Sequence, residues 1–554
     1  MIAKSHIAEI ASVLKAQGVA RVIIAPGSRN APLIQAFTKQ FPGKCTSIVD
    51  ERSAAYFALG VALKTQNPAV VITTSGTAAL NLAPAMAEAF HQGIPLIAVT
   101  ADRPAEWIDQ QDNQSIRQQH IFSANSKGFF ELPIESNTDE DVWLSNRIAN
   151  QAFNLAIHGK PGPVHINVPL REPLYEVLPV HKNARIIHQT AQALPVIDTT
   201  CRKKWNSAKG IFIVCGQSSV NENLQEALNH LAFDSRVLVL AEAISNIHGE
   251  NILHYSDFIF QNRISEFNFP EPDLVVYFGG QIISKGLKDY LRGLKHSDFW
   301  FISPEGTPTD TFQRLNTVYT AFPESFFQQL FECTAIVKDS DFALRWNNEN
   351  MNTRKEIADY TEETEYSDLW VFNQLQKAYK PIDIIFAGNS SVVRYIQYYE
   401  CFNALYSNRG TSGIDGCVST AAGIASESNS KVVAIVGDLS FVYDSNGLWN
   451  RALPENLKIV VINNQGGGIF SMIPGPDSQQ GFKDYFEAHH PVSIQKIAEA
   501  FGLDYFSCEN AEQFSEVYGL FYSGNTASVL EICTNTDVNT TVFRNFVQRF
   551  KYNK

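Results

Sequence analysis

The strand-like run KVVAIVGD ends on Asp438, and a second run, LKIVVIN, leads into Asn463, Asn464, Gln465 and Gly466. A carboxylate and a carboxamide at the C-terminal ends of two successive parallel strands lie where open α/β sheets bind ligands. Both offer oxygen, which suits a hard cation such as Mg²⁺, and Mg²⁺ commonly bridges to phosphate oxygens. Gly466 has no side chain to obstruct its carbonyl, so Asp438, Asn464 and Gly466 form a candidate metal set. Four arginines, Arg29, Arg103, Arg394 and Arg409, each follow a strand-like run. A guanidinium fork matches carboxylates bidentately, so four of them at strand-end loops point to anionic substrates. Glu51 follows the run TSIVD. It is either part of a helix-capping cluster with Asp50 and Arg52 or a carboxylate aimed at a ligand. There is no H-E-x-x-H, G-x-S-x-G, Walker A or strand-borne G-x-G-x-x-G motif. His120 reads as a loop histidine.

These residues need a scaffold of parallel strands. Apolar, β-branched runs at 21–25, 69–73, 95–100, 210–215, 236–241, 273–278, 382–387, 432–436 and 458–462 alternate with helical patterns. That alternation predicts βαβ units and parallel sheets. A helix-like segment, SNGLWNRALPEN, is expected between the last two. Two stretches interrupt the pattern. Residues 171–209 are Pro-rich with a small basic cluster (His181, Lys182, Arg185), and residues 338–366 are highly charged and read as a helical connector with a solvated face. The expected domains are 1–180, 190–335 and 366–554. The first and last read as copies. RVIIAPGSRN parallels IDIIFAGNSS at an offset of 362, while AAYFALGVAL parallels CVSTAAGIAS and VVIT parallels VAIV at 363. Two like domains with different motifs suggest a ligand held between them.

The 554 residues carry 44 Lys+Arg against 57 Asp+Glu, a net charge of −13. That balance argues against nucleic acid and anionic membranes as partners, because both need a basic face. It would also argue against acidic substrates, which the arginines contradict. The eight cysteines form no C-x-x-C pair and read as buried reduced thiols. The N-terminal segment reads as an amphipathic helix rather than a signal peptide. No run approaches the ~20 apolar residues of a membrane span, and the cytoplasm is the expected compartment.

Taken together, the motifs are specific. GD, then NN at the next strand end, resembles the diphosphate-anchoring motif of thiamine diphosphate enzymes, with Leu439 where that motif usually has Gly. The chain also contains PGSRNAPL (26–33), DERSAAYFALG (50–60), TADRPAEWIDQQDNQSIRQ (100–118), SNRGTSGIDG (407–416) and NNQGGGIFSMIPG (463–475). In this order they resemble the 2-succinyl-5-enolpyruvyl-6-hydroxy-3-cyclohexene-1-carboxylate synthase family of menaquinone biosynthesis. The resemblance implies a pyrimidine-binding first domain, a central α/β domain and a diphosphate-binding last domain. It implies thiamine diphosphate with Mg²⁺ or Mn²⁺, decarboxylation of 2-oxoglutarate, and 1,4-addition of the resulting carbanion to isochorismate, with release of CO₂.

By the same resemblance Glu51 is the catalytic carboxylate, held in an apolar cleft that should raise its pKa. Glu51, Ser390, Ile414, Gly437, Asp438, Leu439, Ser440, Asn464, Gly466 and Ile469 are expected to bind the cofactor. Ile414 sits at the repeat position of Glu51 and is expected to prop the cofactor. Ser28, Arg29, Arg103, Asn113, Gln114, Lys285, Ser390, Arg394, Arg409, Ile469 and Phe470 are expected to line the substrate site. The resemblance further implies a homodimer or dimer of dimers, each site joining one chain's first domain to another chain's last. Residues 476–490 are a candidate lid. One alternative is another thiamine diphosphate-dependent 2-oxo acid decarboxylase or carboligase, such as an acetolactate synthase, which an FAD-binding central domain would mark. A second is an inactive scaffold, which would have lost Glu51, Asp438 or Asn464; all three are present.

Overall fold

Strands whose side chains are buried on both faces have no polar face to show, and runs such as AVVIT, IFIVC and VVAIV form the middles of three parallel sheets. The computed structural model describes residues 4–550 apart from 137, 177, 179–183, 190–196, 264–268, 452 and 473–474. The expected basic cluster residues His181 and Lys182 lie outside the described residues.

The first sheet contains β1 (Val22–Ile24), β2 (Cys45–Ser47), β3 (Ala69–Thr73), β4 (Leu96–Asp102), β5 (Gly128–Glu131) and β6 (Val164–Pro169). The second contains β7 (Ile211–Cys215), β8 (Val237–Ala241), β9 (Ile252–Leu253), β10 (Leu274–Phe278), β11 (Asp298–Ser303) and β12 (Thr317–Thr320). The third contains β13 (Ile384–Ala387), β14 (Ala404–Tyr406), β15 (Val432–Gly437), β16 (Leu457–Asn463), β17 (Asp504–Cys508) and β18 (Ser528–Cys533). The first sheet runs β2-β1-β3-β4-β6-β5 and the third β14-β13-β15-β16-β18-β17, which is one topology used twice. The register repeats as well: Val22 pairs with Val70 and Ile384 with Val432, a separation of 48 residues in each. The middle sheet runs β12-β11-β10-β7-β8-β9, the strand order of dinucleotide-binding folds, with its topological switch point between β7 and β10.

The two like domains meet through the helices Glu51–Thr65 and Cys417–Ser426. They cross at the repeated glycines. A Cβ on Gly60 would lie 2.1 Å from Thr420 O, and one on Gly423 would lie 2.1 Å from Phe57 O. Tyr56, one turn before Gly60, donates its hydroxyl hydrogen to Asp415, just ahead of the second helix. The N-terminal ends of both helices therefore lie on the same side of the crossing.

All nine expected strands are present. The run TSIVD ahead of Glu51 also begins in a strand, β2, and among the described residues eight more were not expected: β5, β6, β9, β11, β12, β14, β17 and β18. The expected helix over SNGLWNRALPEN is corrected. The helix starts at Asp438 itself and ends at Tyr443, and only a single 3-10 turn, Ser445–Leu448, falls inside the expected segment. Pro454 lacks the N–H that a continuing helix needs. The connector is the helix Phe342–Glu362, and beside its charged face it buries Phe342 and Trp346 against Phe212 of the central domain, with Ile357 buried in the same core. All eight cysteines are free. Among the described residues no helix is long and apolar enough to cross a membrane.

Two helical glycines make a paired test. Gly60→Ala forces a backbone shift at the helix crossing and should cost about 1–3 kcal/mol, lowering the thermal unfolding midpoint. Gly519→Ala, in the helix Ala511–Ser523 with open space around it, should raise that midpoint slightly. Equal midpoints for the two variants would show that the crossing does not need a bare backbone.

Candidate active site

Asp438 is the first residue of its helix and is buried. Its Oδ1 accepts the Leu439 N–H (2.7 Å) and its Oδ2 the Gly466 N–H (2.8 Å), so the loop after β16 folds back onto it. Burial raises the Asp438 pKa against the opposing pull of the Leu439 N–H and His490. His490 Nε2 lies 3.4 Å from Asp438 Oδ2. The paired asparagines do different work. Asn463 donates to Glu531 and accepts the Gln465 N–H, so it shapes the loop. Asn464 is buried, donates through Nδ2 to Asp368 Oδ2 (3.5 Å), and leaves Oδ1 buried with no partner. Asp368, which the sequence did not single out, thereby sets the orientation of the Asn464 amide. Burial pushes the Asp368 carboxyl up to about 6.

Gly466 has φ +155°, and a Cβ there would lie 2.6 Å from Glu487 O. A Cβ on Gly437 would meet nothing within 4 Å, so the backbone beside Asp438 faces open space. Among the described residues no group of three or more His, Cys, Asp or Glu side chains could hold a metal. The candidate donors are instead a carboxylate, an unpartnered amide oxygen and a backbone carbonyl. That all-oxygen set fits Mg²⁺ held jointly with phosphate oxygens. Ser440 Oγ donates to Ile414 O (2.8 Å), which ties the motif to the loop ahead of the Cys417–Ser426 helix. Ile469 is buried in the short helix Ile469–Met472, and Phe470 packs edge-on against Phe486. The candidate lid lies over this motif: the Gly467 N–H donates to Glu487 O, and the Glu487 carboxylate accepts from Ser471.

A cationic group stands where the third domain meets the central one. Ser390 adopts φ +68°, uncommon for a side-chain-bearing residue and a mark of a backbone shaped for a site. Its carbonyl accepts from the exposed Arg394 (2.8 Å). Arg409 Nη1 donates to Asn389 Oδ1 (3.1 Å), while its Nε is buried without a partner. Burial and the nearby Arg394 charge lower the Arg409 pKa. Lys285 is exposed at the first position of the helix Lys285–Gly293. Lys288, which the sequence reading missed, is half-buried within electrostatic reach of Arg409, Glu242 and Asp257. Its spacing of one helical turn from Lys285 was the available signal. Buried Glu242 accepts the N–H groups of Ile283 and Ser284 (2.7 Å for the latter) and so anchors the start of this helix.

The expected first-domain residues stand apart. Arg29 is buried and donates to Leu170 O (3.0 Å), and Arg103 pairs with Asp112 (2.7 Å) and donates to Asn113 O. Ser28, Asn113 and Gln114 are exposed. The apolar cleft expected around Glu51 is not closed by this chain. The side chain is half-exposed and its Oε2 accepts from Asn81 (3.2 Å), while neighbouring Asp50 caps the helix through the Ser53 N–H (3.0 Å). Among the described residues, no hydrogen bond or ion pair joins Glu51, Ser28, Arg29, Arg103, Asn113 or Gln114 to the Asp438 or Arg409 groups.

Comparison with known proteins covers nearly the whole chain. Residues 7–121 match the thiamine pyrophosphate enzyme N-terminal TPP-binding domain, 179–386 the middle domain of such enzymes, and 387–532 the C-terminal TPP-binding domain. The chain is 40% identical to a 2-succinyl-5-enolpyruvyl-6-hydroxy-3-cyclohexene-1-carboxylate synthase of Desulfotalea psychrophila, over 94% of this chain and 96% of the relative. Proteins of the same name from Flavobacterium johnsoniae and Cytophaga hutchinsonii are 37% and 35% identical, each over 97% of both chains.

Glu242 gives the start of the Lys285–Gly293 helix a pH signature. Burial pushes its carboxyl up to about 7 from 4.5, so between these values the folded chain holds a proton that the unfolded chain has released. Stability from this group is therefore present at low pH and is lost as pH rises through 7. The fall in unfolding midpoint between pH 5 and pH 8 should be smaller in Glu242→Gln than in the unaltered protein; an identical fall would show that Glu242 titrates normally.

Proposed function

The chain belongs to the 2-succinyl-5-enolpyruvyl-6-hydroxy-3-cyclohexene-1-carboxylate synthase family of thiamine diphosphate enzymes, and from that premise we propose how its residues divide the work. The reaction decarboxylates 2-oxoglutarate and joins the remaining succinyl unit to isochorismate in a 1,4 sense. When bound, thiamine diphosphate supplies an acidic thiazolium carbon and an electron sink for the decarboxylation. The observation that carries the assignment of residues is the unpartnered Asn464 Oδ1 beside Asp438 and Gly466.

On this reading Asp438, Asn464 and Gly466 hold Mg²⁺, or Mn²⁺, against the diphosphate. Gly437, Leu439 and Ser440 shape the backbone around it, and Ile414 supports the cofactor with Ile469. Glu51 shares a proton between its carboxylate and the cofactor's pyrimidine nitrogen. Ser390, Arg394, Arg409 and Lys285 orient an anionic substrate by paired, charge-assisted hydrogen bonds. Ile469 and Phe470 exclude water beside its ring. Ser28, Arg29, Arg103, Asn113 and Gln114 come to the same site from the first domain of a second copy, as does Glu51. The half-open setting of Glu51, and the lack among the described residues of a hydrogen bond or ion pair from it to the Asp438 group, support a homodimer, or a dimer of dimers, with shared sites. The domain limits 1–180, 190–335 and 366–554 and a cytoplasmic location belong to this reading.

The acetolactate-type alternative would place a nucleotide at the central domain's switch point. The loops that would line that site are instead engaged by the chain itself: Gln217, after β7, donates to Ser407 O and Gln281, after β10, donates to Gly410 O.

Glu51→Gln should lower kcat by about 10²–10⁴-fold with cofactor binding retained. Asp438→Asn should instead weaken Mn²⁺ binding, read by electron paramagnetic resonance. Mixing the two inactive variants should restore about a quarter of full activity, because half of the dimers are mixed and one of their two sites keeps both groups. Full activity of Glu51→Gln would remove its assigned role, and failure of the mixture to regain activity would place both groups in one chain.

A further inference from the structure

The loop Ser407–Thr411 carries Arg409 and is gripped by side chains from all three domains. From the third domain, Asn389 Nδ2 donates to Asn408 O (2.7 Å). From the central domain, the amides of Gln217 and Gln281 donate to Ser407 O and Gly410 O, each at 3.1 Å. From the first domain, the helix Ala83–Gln92 contributes two residues one turn apart. Gln92 Nε2 donates to Ser407 O (3.1 Å). Glu88 has no solvent exposure, and its carboxylate accepts three hydrogens: from the Gly410 N–H, the Thr411 N–H and the Thr411 hydroxyl, each at 2.7 Å.

This is a costly construction, because a buried carboxylate loses its hydration and must recover it from donors. Glu88 does so on the two residues that follow Arg409. The approach is close: a Cβ on Gly410 would lie 2.6 Å from Glu88 O and 2.9 Å from Gln92 N. Glu88 spends its hydrogen bonds on Gly410 and Thr411, and only its charge reaches the Arg409 guanidinium. We propose that Glu88 is a positioning residue that fixes the backbone of the Arg409 loop and thereby aims the Arg409 guanidinium. The first domain so sets the substrate-binding geometry of the third domain of its own chain, in addition to what it lends to a second copy. The inference rests on the reading of Arg409 as a substrate-binding residue.

The isosteric change Glu88→Gln keeps the shape but leaves one acceptor oxygen and turns an NH₂ toward an N–H, so the loop must move. The test is a double-mutant cycle with Arg409→Ala, reading kcat and the KM for 2-oxoglutarate and for isochorismate. Arg409→Ala identifies the substrate that Arg409 holds by the KM it raises. Glu88→Gln should raise that same KM about tenfold, leave the other KM and kcat within about twofold, and add nothing in the Arg409→Ala background. A purely structural role would move both KM values and would add in the double variant; that result, or an unchanged KM, overturns the proposal. If Arg409→Ala leaves both KM values unchanged, the substrate reading fails first and the proposal with it. If Glu88→Gln does not fold, Gln281→Ala replaces it in the same cycle, since it releases Gly410 O from the opposite side; additivity there would be equally fatal.

Discussion

Two helices meet backbone to backbone at Gly60 and Gly423, and no side chain fits between them. The contact joins equivalent points of two domains that share one sheet topology, so it behaves as an internal near-twofold axis. Its consequences run outward along both helices. Tyr56 reaches Asp415, Arg52 reaches the Tyr443 carbonyl, and Asp50 takes a hydrogen from Asn446. A wider separation at the glycines would break each of these links. It would also withdraw the Ala83–Gln92 helix from the loop that carries Arg409.

A second regularity explains how an acidic protein builds a site for acids. Several carboxylates are buried and spend their charge on backbone or hydroxyl donors rather than on solvent. Glu88 holds Gly410 and Thr411, Glu242 holds Ile283 and Ser284, and Asp444 holds the N–H and hydroxyl of Ser419. Burial pushes Asp444 up to about 7, as it does Glu242. Glu88 and Glu242 fasten the segments that carry Arg409 and Lys285, and Asp444 fastens the start of the Cys417–Ser426 helix. The net charge of −13 describes the whole chain and says little about that local field.

The strands found from sequence are the apolar ones. Two kinds stand out among those missed. Outermost strands of the first and third sheets, such as Gly128–Glu131 and Ala404–Tyr406, are too short for a period to show. Inner strands such as β6 escaped because buried polar residues interrupt the apolar run. His165 and Asn167 look like surface residues in the sequence, yet they bond to Thr100 and to Asp102. The candidate metal-binding set was legible because its members sit at the ends of strong strands. Asp368 and Lys288 were not: one lies far from Asn464 in sequence, and the other repeats no motif.

What the sequence determined by itself was local chemistry on a regular scaffold: the donor at each strand end, the internal repeat, and the family to which the motifs belong. Strand and helix periods are short-range properties, so residues such as Asp438, Asn464 and Arg409 can be placed from their neighbours alone. The tertiary structure decided which loops are held rigid, and by what. Glu88 and Thr411 are 323 residues apart, and two glutamines beside the switch point of the central sheet bond a loop of another domain. No periodicity records such pairings, because they arise only when separately folded sheets bury their junction and every polar group trapped there must find a partner.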